Sequence, residues 1–126
     1  SGHNAEEAKQ ESMKENHGKY ILVVEGAIPT KDDGVYCTIA GRTAVDILKE
    51  SAEGAAAILT FGSCSAWGGV QAAHPNPTGS VPVDAIIKNR PIVKIPGCPP
   101  IAEVMTGVVV HYATFGTLPE LDSMGR

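Results

Sequence analysis

The chain has 126 residues, 43% of them hydrophobic, and a net charge of -4 at pH 7, which fits one domain with one core. Lys and Arg are scattered and form no basic stripe, so the composition argues against a nucleic-acid partner or an anionic membrane surface. Three cysteines are too few for a disulfide scaffold, and no apolar run approaches the ~20 residues that span a bilayer.

The first third of the chain predicts a helix, a strand and a loop. Residues 4–17 are strong helix formers that begin with a capping-box pattern at Asn4, and Gly18 is suited to a left-handed helix end. Residues 20–24 form a short, apolar, β-rich run that predicts a buried strand. The Pro, Asp and Gly residues of 28–34 are typical of a surface loop.

The rest of the chain alternates in the same way. The pair Thr43 and Asp46 predicts a capped helix that Gly54 ends, followed by a buried strand over residues 55–61. A short helix is expected over residues 83–88 and a third strand over residues 92–95. The last predicted helix covers residues 101–115, with Pro100 suited to its first turn, and residues 118–122 are expected to lead away from the domain.

Helices that alternate with strands predict an α/β domain with an open parallel sheet. Ligands of such sheets gather outside the carboxyl ends of the strands. The three predicted strands are followed there by Glu25, Cys64 and Cys98. The sequence therefore predicts that these three side chains share one edge of the sheet.

Cys64 and Cys98 each lie on a loop that glycine and proline hold in a fixed conformation. Cys64 follows Gly62, and Cys98 lies between Gly97 and Pro99. On neighbouring strands, ~4.8 Å apart, the two thiolates are suited to hold one multi-iron cluster. The alternative is that each is a small buried apolar residue, which is common for free cysteine. Cys37 has no such frame and is predicted to be a packing residue.

The remaining candidate residues carry weaker signals. Glu25 is either a solvated loop carboxylate or a group that tunes a potential or relays a proton. His74 and His111 have no partner at zinc-site spacing and are predicted to be surface or core histidines. Trp67 is predicted to pack as a lid over the Cys64 loop.

Five segments in chain order carry a resemblance to a known family. They are VVEGAIPT at 23–30, GSCSAWGGVQAA at 62–73, NPTG at 76–79, IPGCPP at 95–100 and LPELD at 118–122. Together they resemble the small, electron-transferring subunit of nickel-iron hydrogenases. The resemblance covers most of the chain.

The resemblance implies a fold, a cofactor and partners. Residues 1–126 would be one partial flavodoxin-like domain of three layers, with Cys64 and Cys98 as the third and fourth ligands of a proximal 4Fe-4S cluster. Gly62, Gly97 and Pro99 would shape the cluster loops, and Glu25 would lie close to the cluster. A large partner subunit would carry the nickel-iron centre that splits dihydrogen, and a cytochrome or ferredoxin would accept the electrons. Members of this kind are often periplasmic or membrane-associated.

Departures from the family pattern, and one agreement with its standard type at Gly69, qualify these expectations. The family takes its first two cluster ligands from a Cys-x-x-Cys segment on a strand upstream of the first helix. This chain starts after that strand, so Ser1 is expected to be a processed or truncated start. Oxygen-tolerant members add a cysteine where this chain has Gly69, which predicts the standard cluster type. Ile101-Ala102-Glu103 replaces a common Asn-Pro and leaves nickel-iron and nickel-iron-selenium partners open.

Three functions are therefore under consideration. The first is a hydrogenase small-subunit component that passes electrons through the proximal cluster and is not catalytic by itself. The second is the homologous cluster-bearing subunit of a respiratory quinone reductase, which shares the Gly-Ser-Cys and Gly-Cys-Pro-Pro loops. The third is a non-catalytic flavodoxin-like interaction module in which both cysteines only pack.

Overall fold

The structure is a computed structural model that describes residues 3–126. The helices are α1 (His3–Glu15), α2 (Ala44–Glu53), α3 (Ser63–Trp67) and α4 (Ala102–Phe115), and short 3₁₀ turns occur at Lys31–Gly34, Val70–Ala72 and Val83–Ala85. The strands are β1 (Tyr20–Glu25), β2 (Ile28–Pro29), β3 (Thr38–Ile39), β4 (Arg42–Thr43), β5 (Ala55–Phe61), β6 (Ser80–Val81) and β7 (Ile92–Ile95).

The central sheet is parallel and has the order β1-β5-β7, which confirms the predicted α/β architecture. Its strands end on one row, because Glu25 pairs with Phe61 and Phe61 pairs with Ile95. The strand that precedes Cys64 is therefore the direct neighbour of the strand that precedes Cys98. The expectation that one sheet edge carries both cysteine loops is confirmed.

Helices cover both faces of this sheet. Ile58 and Leu59 are fully buried neighbours in β5 that point to opposite faces, as side chains of a strand alternate. Ile58 packs with Leu48 of α2, and Leu59 lies in a cluster that Met105 of α4 covers. Each fully buried aliphatic side chain stabilises the fold by roughly 1.5–3 kcal/mol, so β5 carries much of the core. The three-layer expectation is confirmed.

Helix α2 begins and ends where the sequence predicts. The Thr43 hydroxyl accepts a hydrogen bond from the Asp46 backbone N–H at 3.2 Å, which satisfies a free donor of the first turn. Gly54 follows the last turn and is buried. An added Cβ there would lie 3.2 Å from the Tyr20 hydroxyl, so a larger residue would press on the Tyr20 side chain where the chain turns into β5.

Helix α1 has no buried residue and is held mainly by polar contacts. Gln10 donates to the Glu50 carboxylate of α2, and Arg42 forms an ion pair with the same carboxylate. The Arg42 hydrogen bond and then that of Gln10 lower the pKa of Glu50 below its usual value. Gly18 has the expected left-handed conformation (φ 77°), and the helix ends at Glu15 rather than at residue 17.

Two segments differ from the local structure predicted for them. The helix expected over 83–88 is only the 3₁₀ turn Val83–Ala85, because no side chain caps its start and two β-branched isoleucines follow it. Val83 and Ile87 are instead buried anchors of the first core cluster. The segment expected to lead away from the domain returns to it: Leu118 packs on the second core cluster, and the Lys94 N–H donates to the Gly125 carbonyl at 2.8 Å.

Two small antiparallel pairs were not predicted. Strand β2 pairs with β6, and β3 pairs with β4 through a turn at Ala40 (φ 53°) and Gly41 (φ 79°). Left-handed conformations at both turn residues are typical of a tight hairpin. These pairs lie outside the parallel sheet and shape the loops beside it.

The bounds of helix α4 agree with the predicted bounds to within one residue. Its solvent-facing side is apolar as well. Its exposed residues include Val110 (54% exposed) and Phe115 (67% exposed). With 14 residues it is too short to cross a bilayer. Across residues 3–126, no helix has the length and apolarity of a membrane span.

Candidate metal centre

Both cysteines follow their strands at the same distance. Cys64 comes three residues after Phe61 and is the second residue of α3, and Cys98 comes three residues after Ile95. The sequence predicted a turn at Cys64, and the short helix α3 was missed. Because Phe61 and Ile95 are paired in register, the equal offset carries the two cysteine loops off the same row of the sheet.

Three hydrogen bonds join the two loops. The Gly62 N–H donates to the Ile95 carbonyl at 2.8 Å and continues the sheet ladder by one step. The Ser63 N–H donates to the Gly97 carbonyl at 2.9 Å, and the Gly97 N–H donates back to the Ser63 hydroxyl at 3.0 Å. Residues directly before each cysteine are therefore bonded to each other in both directions. We call this reciprocal Ser63–Gly97 pair the loop clamp.

The clamp requires glycine on both loops. Gly62 has φ 98°, and an added Cβ would lie 3.2 Å from the Gly97 carbonyl oxygen. Gly97 has φ 120°, and an added Cβ would lie 2.7 Å from both the Pro100 Cα and the Pro99 carbonyl oxygen. L-residues rarely adopt such angles. The glycines that the sequence singled out are thus needed for the close approach of the two loops.

The Cys98 loop is a tight turn closed by a bridge between Gly97 and Pro100. The Cys98–Pro99 peptide bond is cis, and Cys98 is exposed. Pro100 lies in this bridge, before α4, and not in the first turn of the helix as predicted. Two prolines after the cysteine remove backbone freedom, so the thiol is presented outward by a stiff loop.

Cys64 has a polar neighbour that the sequence did not indicate. Its Sγ lies 3.4 Å from Oε1 of Gln71, which belongs to the 3₁₀ turn Val70–Ala72. Gly68 (φ 100°) and Gly69 (φ 65°) turn the chain back so that this segment faces α3. An added Cβ on Gly69 would lie 2.6 Å from the Cys64 Sγ. In the sequence, only the adjacent glycines Gly68 and Gly69 indicated that the chain turns back towards α3 here.

Glu25 ends β1 on the same row as Phe61, and its side chain is exposed. The sheet therefore brings Glu25 to the edge that carries the cysteine loops, as the sequence predicted. The closeness of its carboxylate to a cluster stays a prediction.

The other candidate residues lie elsewhere or in packing roles. Cys37 is half-buried in the segment before β3 and lines an apolar groove with Ile39 and Ile47. The Trp67 ring is half-buried, with the Lys94 ammonium 5.6 Å from its centroid. His111 packs on Phe115 in α4, and His74 is exposed. These placements agree with the packing and surface roles expected for them.

The residues present fit half of an iron-sulfur site. Cys64 and Cys98 are free thiols, and thiolates are the ligands that iron-sulfur clusters use. Within the part of the chain that the structure describes, no group of three or more His, Cys, Asp or Glu residues is placed to hold a metal ion. Two thiols on hydrogen-bonded loops could supply two of the four ligands that a four-iron cluster takes.

Comparison with known proteins shows which family the chain resembles along most of its length. A family model described as NADH ubiquinone oxidoreductase, 20 Kd subunit, matches residues 3–112. The uptake hydrogenase small subunit of Azotobacter vinelandii is 52% identical over 126 residues, and that of Bradyrhizobium diazoefficiens is 53% identical over the same length. The chain covers 35% of each of these proteins. It therefore spans about a third of the length of the curated relatives it matches.

A solved structure has the same fold. The reduced, active Ni-Fe-Se hydrogenase of Desulfomicrobium baculatum superposes with a TM-score of 0.94 at 33% sequence identity. The match covers 100% of this chain and 52% of that one. The resemblance to hydrogenase small subunits that the five sequence segments indicated is confirmed.

Proposed function

The chain belongs to the NADH ubiquinone oxidoreductase 20 Kd subunit family, and on that premise we propose that it is the proximal-cluster domain of a hydrogenase small subunit. The observation that carries the proposal is the clamp between the two cysteine loops. Ser63 and Gly97 exchange backbone and hydroxyl hydrogen bonds, and each directly precedes a free cysteine. Such a frame suits two ligands of one cluster better than two packing residues.

The curated relatives named above support a hydrogenase subunit over a respiratory quinone reductase subunit. The small subunits that are 52–53% identical to this chain are uptake hydrogenase subunits. The quinone reductase subunit is the second candidate, because the matching family model carries that description. Both proteins would bind their cluster through the same two cysteines. The two candidates therefore differ in which compound donates electrons to the cluster.

The proposed work of this chain is to hold and surround the cluster. Cys64 and Cys98 would bind two of its irons, and two further ligands would come from a Cys-x-x-Cys segment of the longer protein. When bound, a 4Fe-4S cluster stores and passes single electrons. Gly62, Gly97 and Pro99 would keep the two sulfurs at fixed positions, so that little rearrangement accompanies each electron.

Glu25 would act from the end of β1. A carboxylate at this edge would tune the cluster potential by its charge or carry a proton near it. The proposed partner is a hydrogenase large subunit that holds a nickel-iron centre, and the proposed acceptor is a cytochrome or ferredoxin. From the family resemblance, the proposed cellular location of the protein is periplasmic or membrane-associated.

The test uses the complete small subunit co-purified with its large subunit under anaerobic conditions. Cys64→Ser and Cys98→Ser should each abolish the electron paramagnetic resonance signal of the reduced proximal cluster and lower the iron content. Cys37→Ser is the matched control and should leave both unchanged. Retention of the cluster in either of the first two variants would contradict the proposal.

Two further measurements separate the candidates. Dihydrogen should reduce the cluster in the intact complex, whereas reduction by NADH or quinol alone would favour the quinone reductase. A wild-type complex without iron would favour the interaction module. Glu25→Gln should keep the iron content and shift the cluster potential or the turnover, and no change in either would return Glu25 to the role of a solvated carboxylate.

A further inference from the structure

The contact between Gln71 and Cys64 is the polar feature of the site that the proposed function does not use. The Gln71 Oε1 atom lies 3.4 Å from the Cys64 Sγ, within the range of a hydrogen bond to sulfur. The same sulfur belongs to one of the two proposed ligands. A polar side chain that touches a ligating sulfur is placed to influence the metal group.

The backbone is shaped to produce this contact. Gly68 ends α3 in the left-handed region, and Gly69 follows with a second positive φ. The Gly69 carbonyl then accepts the Ala72 N–H at 3.2 Å, which fixes the turn that carries Gln71. A Cβ on Gly69 would lie 2.6 Å from the Cys64 sulfur and 2.9 Å from the Gln71 Oε1 atom. The missing side chain at Gly69 therefore leaves the space in which the sulfur and the amide meet.

The chemistry of the sulfur decides which end of the amide faces it. In the free thiol, S–H donates to the amide oxygen, as the structure shows. A thiolate bound to iron has no proton and only accepts hydrogen bonds. The carboxamide has a donor and an acceptor end related by a half-turn of its terminal torsion, so the NH₂ group can take the place of the oxygen.

We infer that Gln71 is a positioning residue that donates a side-chain N–H to the Cys64 thiolate and thereby raises the reduction potential of the cluster. The inference rests on the proposed function, because it requires Cys64 to be a cluster ligand. Hydrogen bonds to cluster sulfurs stabilise the more negative, reduced state. Nothing in the sequence pattern of the cysteine loops themselves indicated this residue.

The test is a potentiometric titration of the complete heterodimer, followed by electron paramagnetic resonance. Gln71→Met keeps the length of the side chain and removes the donor, and Gln71→Glu keeps the shape and replaces the NH₂ group by oxygen. Gln71→Lys restores a donor. Val70→Ala is the matched control in the same turn, because Val70 is 88% exposed.

Both donor-free variants should lower the equilibrium constant for cluster reduction at least threefold, about 28 mV at 59 mV per tenfold change. The Glu variant should have the lowest potential and the Lys variant one at or above the wild type. A spectrum sensitive to exchangeable protons should lose one coupling near the cluster in Gln71→Met. The Val70→Ala variant should match the wild type in all of these readouts.

The outcomes separate the two claims. If the cluster is present and the Met and wild-type potentials coincide, the donor role of Gln71 is refuted while the proposed function stands. A change with charge alone, in which Glu and Lys shift the potential and Met does not, also refutes it. If the wild-type complex holds no cluster, both claims fall. Should Gln71→Met fail to assemble, Gln71→Leu, which also lacks a donor and adds no charge, gives the same decision.

Discussion

The loop clamp gives the sharpest stability prediction. In Ser63→Ala the hydroxyl that accepts the Gly97 N–H at 3.0 Å is removed, while the reverse bond from the Ser63 N–H remains. Loss of one such bond at this partly exposed site costs about 1–1.4 kcal/mol, within the ~0.5–1.5 kcal/mol that a net hydrogen bond contributes. Since ~1.4 kcal/mol is a factor of ten, the open form of the Cys98 loop should become about five to ten times more populated.

The assay is the rate at which an iron chelator removes the cluster from the anaerobic, full-length heterodimer. When the loop opens and closes faster than iron is captured, this rate follows the open population. Ser63→Ala should therefore lose iron about five to ten times faster than the wild type. Ser63→Thr keeps an acceptor oxygen and should restore a rate near the wild-type value.

Ser65→Ala is the matched control on the same short helix. The Ser65 hydroxyl donates to the Phe61 carbonyl at 3.2 Å and to the Gly62 carbonyl at 3.3 Å, both on its own segment, so it does not join the two loops. It should leave the rate of iron loss within about a factor of two of the wild type. Equal rates in Ser63→Ala and Ser65→Ala would refute the role of the clamp.

Three further predictions concern the fold. Gly97→Ala places a Cβ 2.7 Å from backbone atoms at φ 120° and should lower the free energy of unfolding by more than ~2 kcal/mol, measured by chemical denaturation of the small subunit; an unchanged midpoint would contradict the geometry. Ile58→Ala empties a fully buried position and should cost ~2–5 kcal/mol in the same assay, with Val70→Ala near zero. Arg42 lowers the pKa of Glu50, so this carboxylate stabilises the fold above its unfolded pKa of ~4.3, and that stabilisation is lost as pH falls through the lower folded pKa. Thermal scans should therefore show Glu50→Gln destabilised at pH 7 and level with the wild type in strong acid, whereas a constant difference at all pH values would contradict this assignment.

The parallel sheet and the edge that carries the cysteines could be predicted from the sequence because their signals are local. Apolar runs that end in glycine mark β5 and β7, and Thr43 marks the start of α2 by its side-chain oxygen. Because ligands collect at the carboxyl ends of parallel strands, the shared edge could be predicted, whereas the pairing of β5 with β7 is an assumption that the structure confirms.

What could not be predicted depends on contacts between distant residues. The return of the C-terminal segment onto Lys94 satisfies a backbone donor that no local pattern reveals. The Ser63–Gly97 clamp and the Gln71 contact depend on how two loops meet in space, and each residue alone has an ordinary composition. The helix expected over 83–88 fails for the same reason, because Val83 and Ile87 pack in a core cluster with distant residues such as Ile58.

The shared row at which β5 and β7 end also limits how the length of this chain could vary. Each cysteine follows that row after three residues, so the starting points of both cysteine loops are set by the paired strands. One residue gained or lost between Phe61 and Cys64 would move one sulfur while the other stayed in place. The hairpin at Ala40 and Gly41 has no such counterpart and could lengthen freely. Related chains should therefore differ in length at the hairpin and agree in length at both cysteine loops.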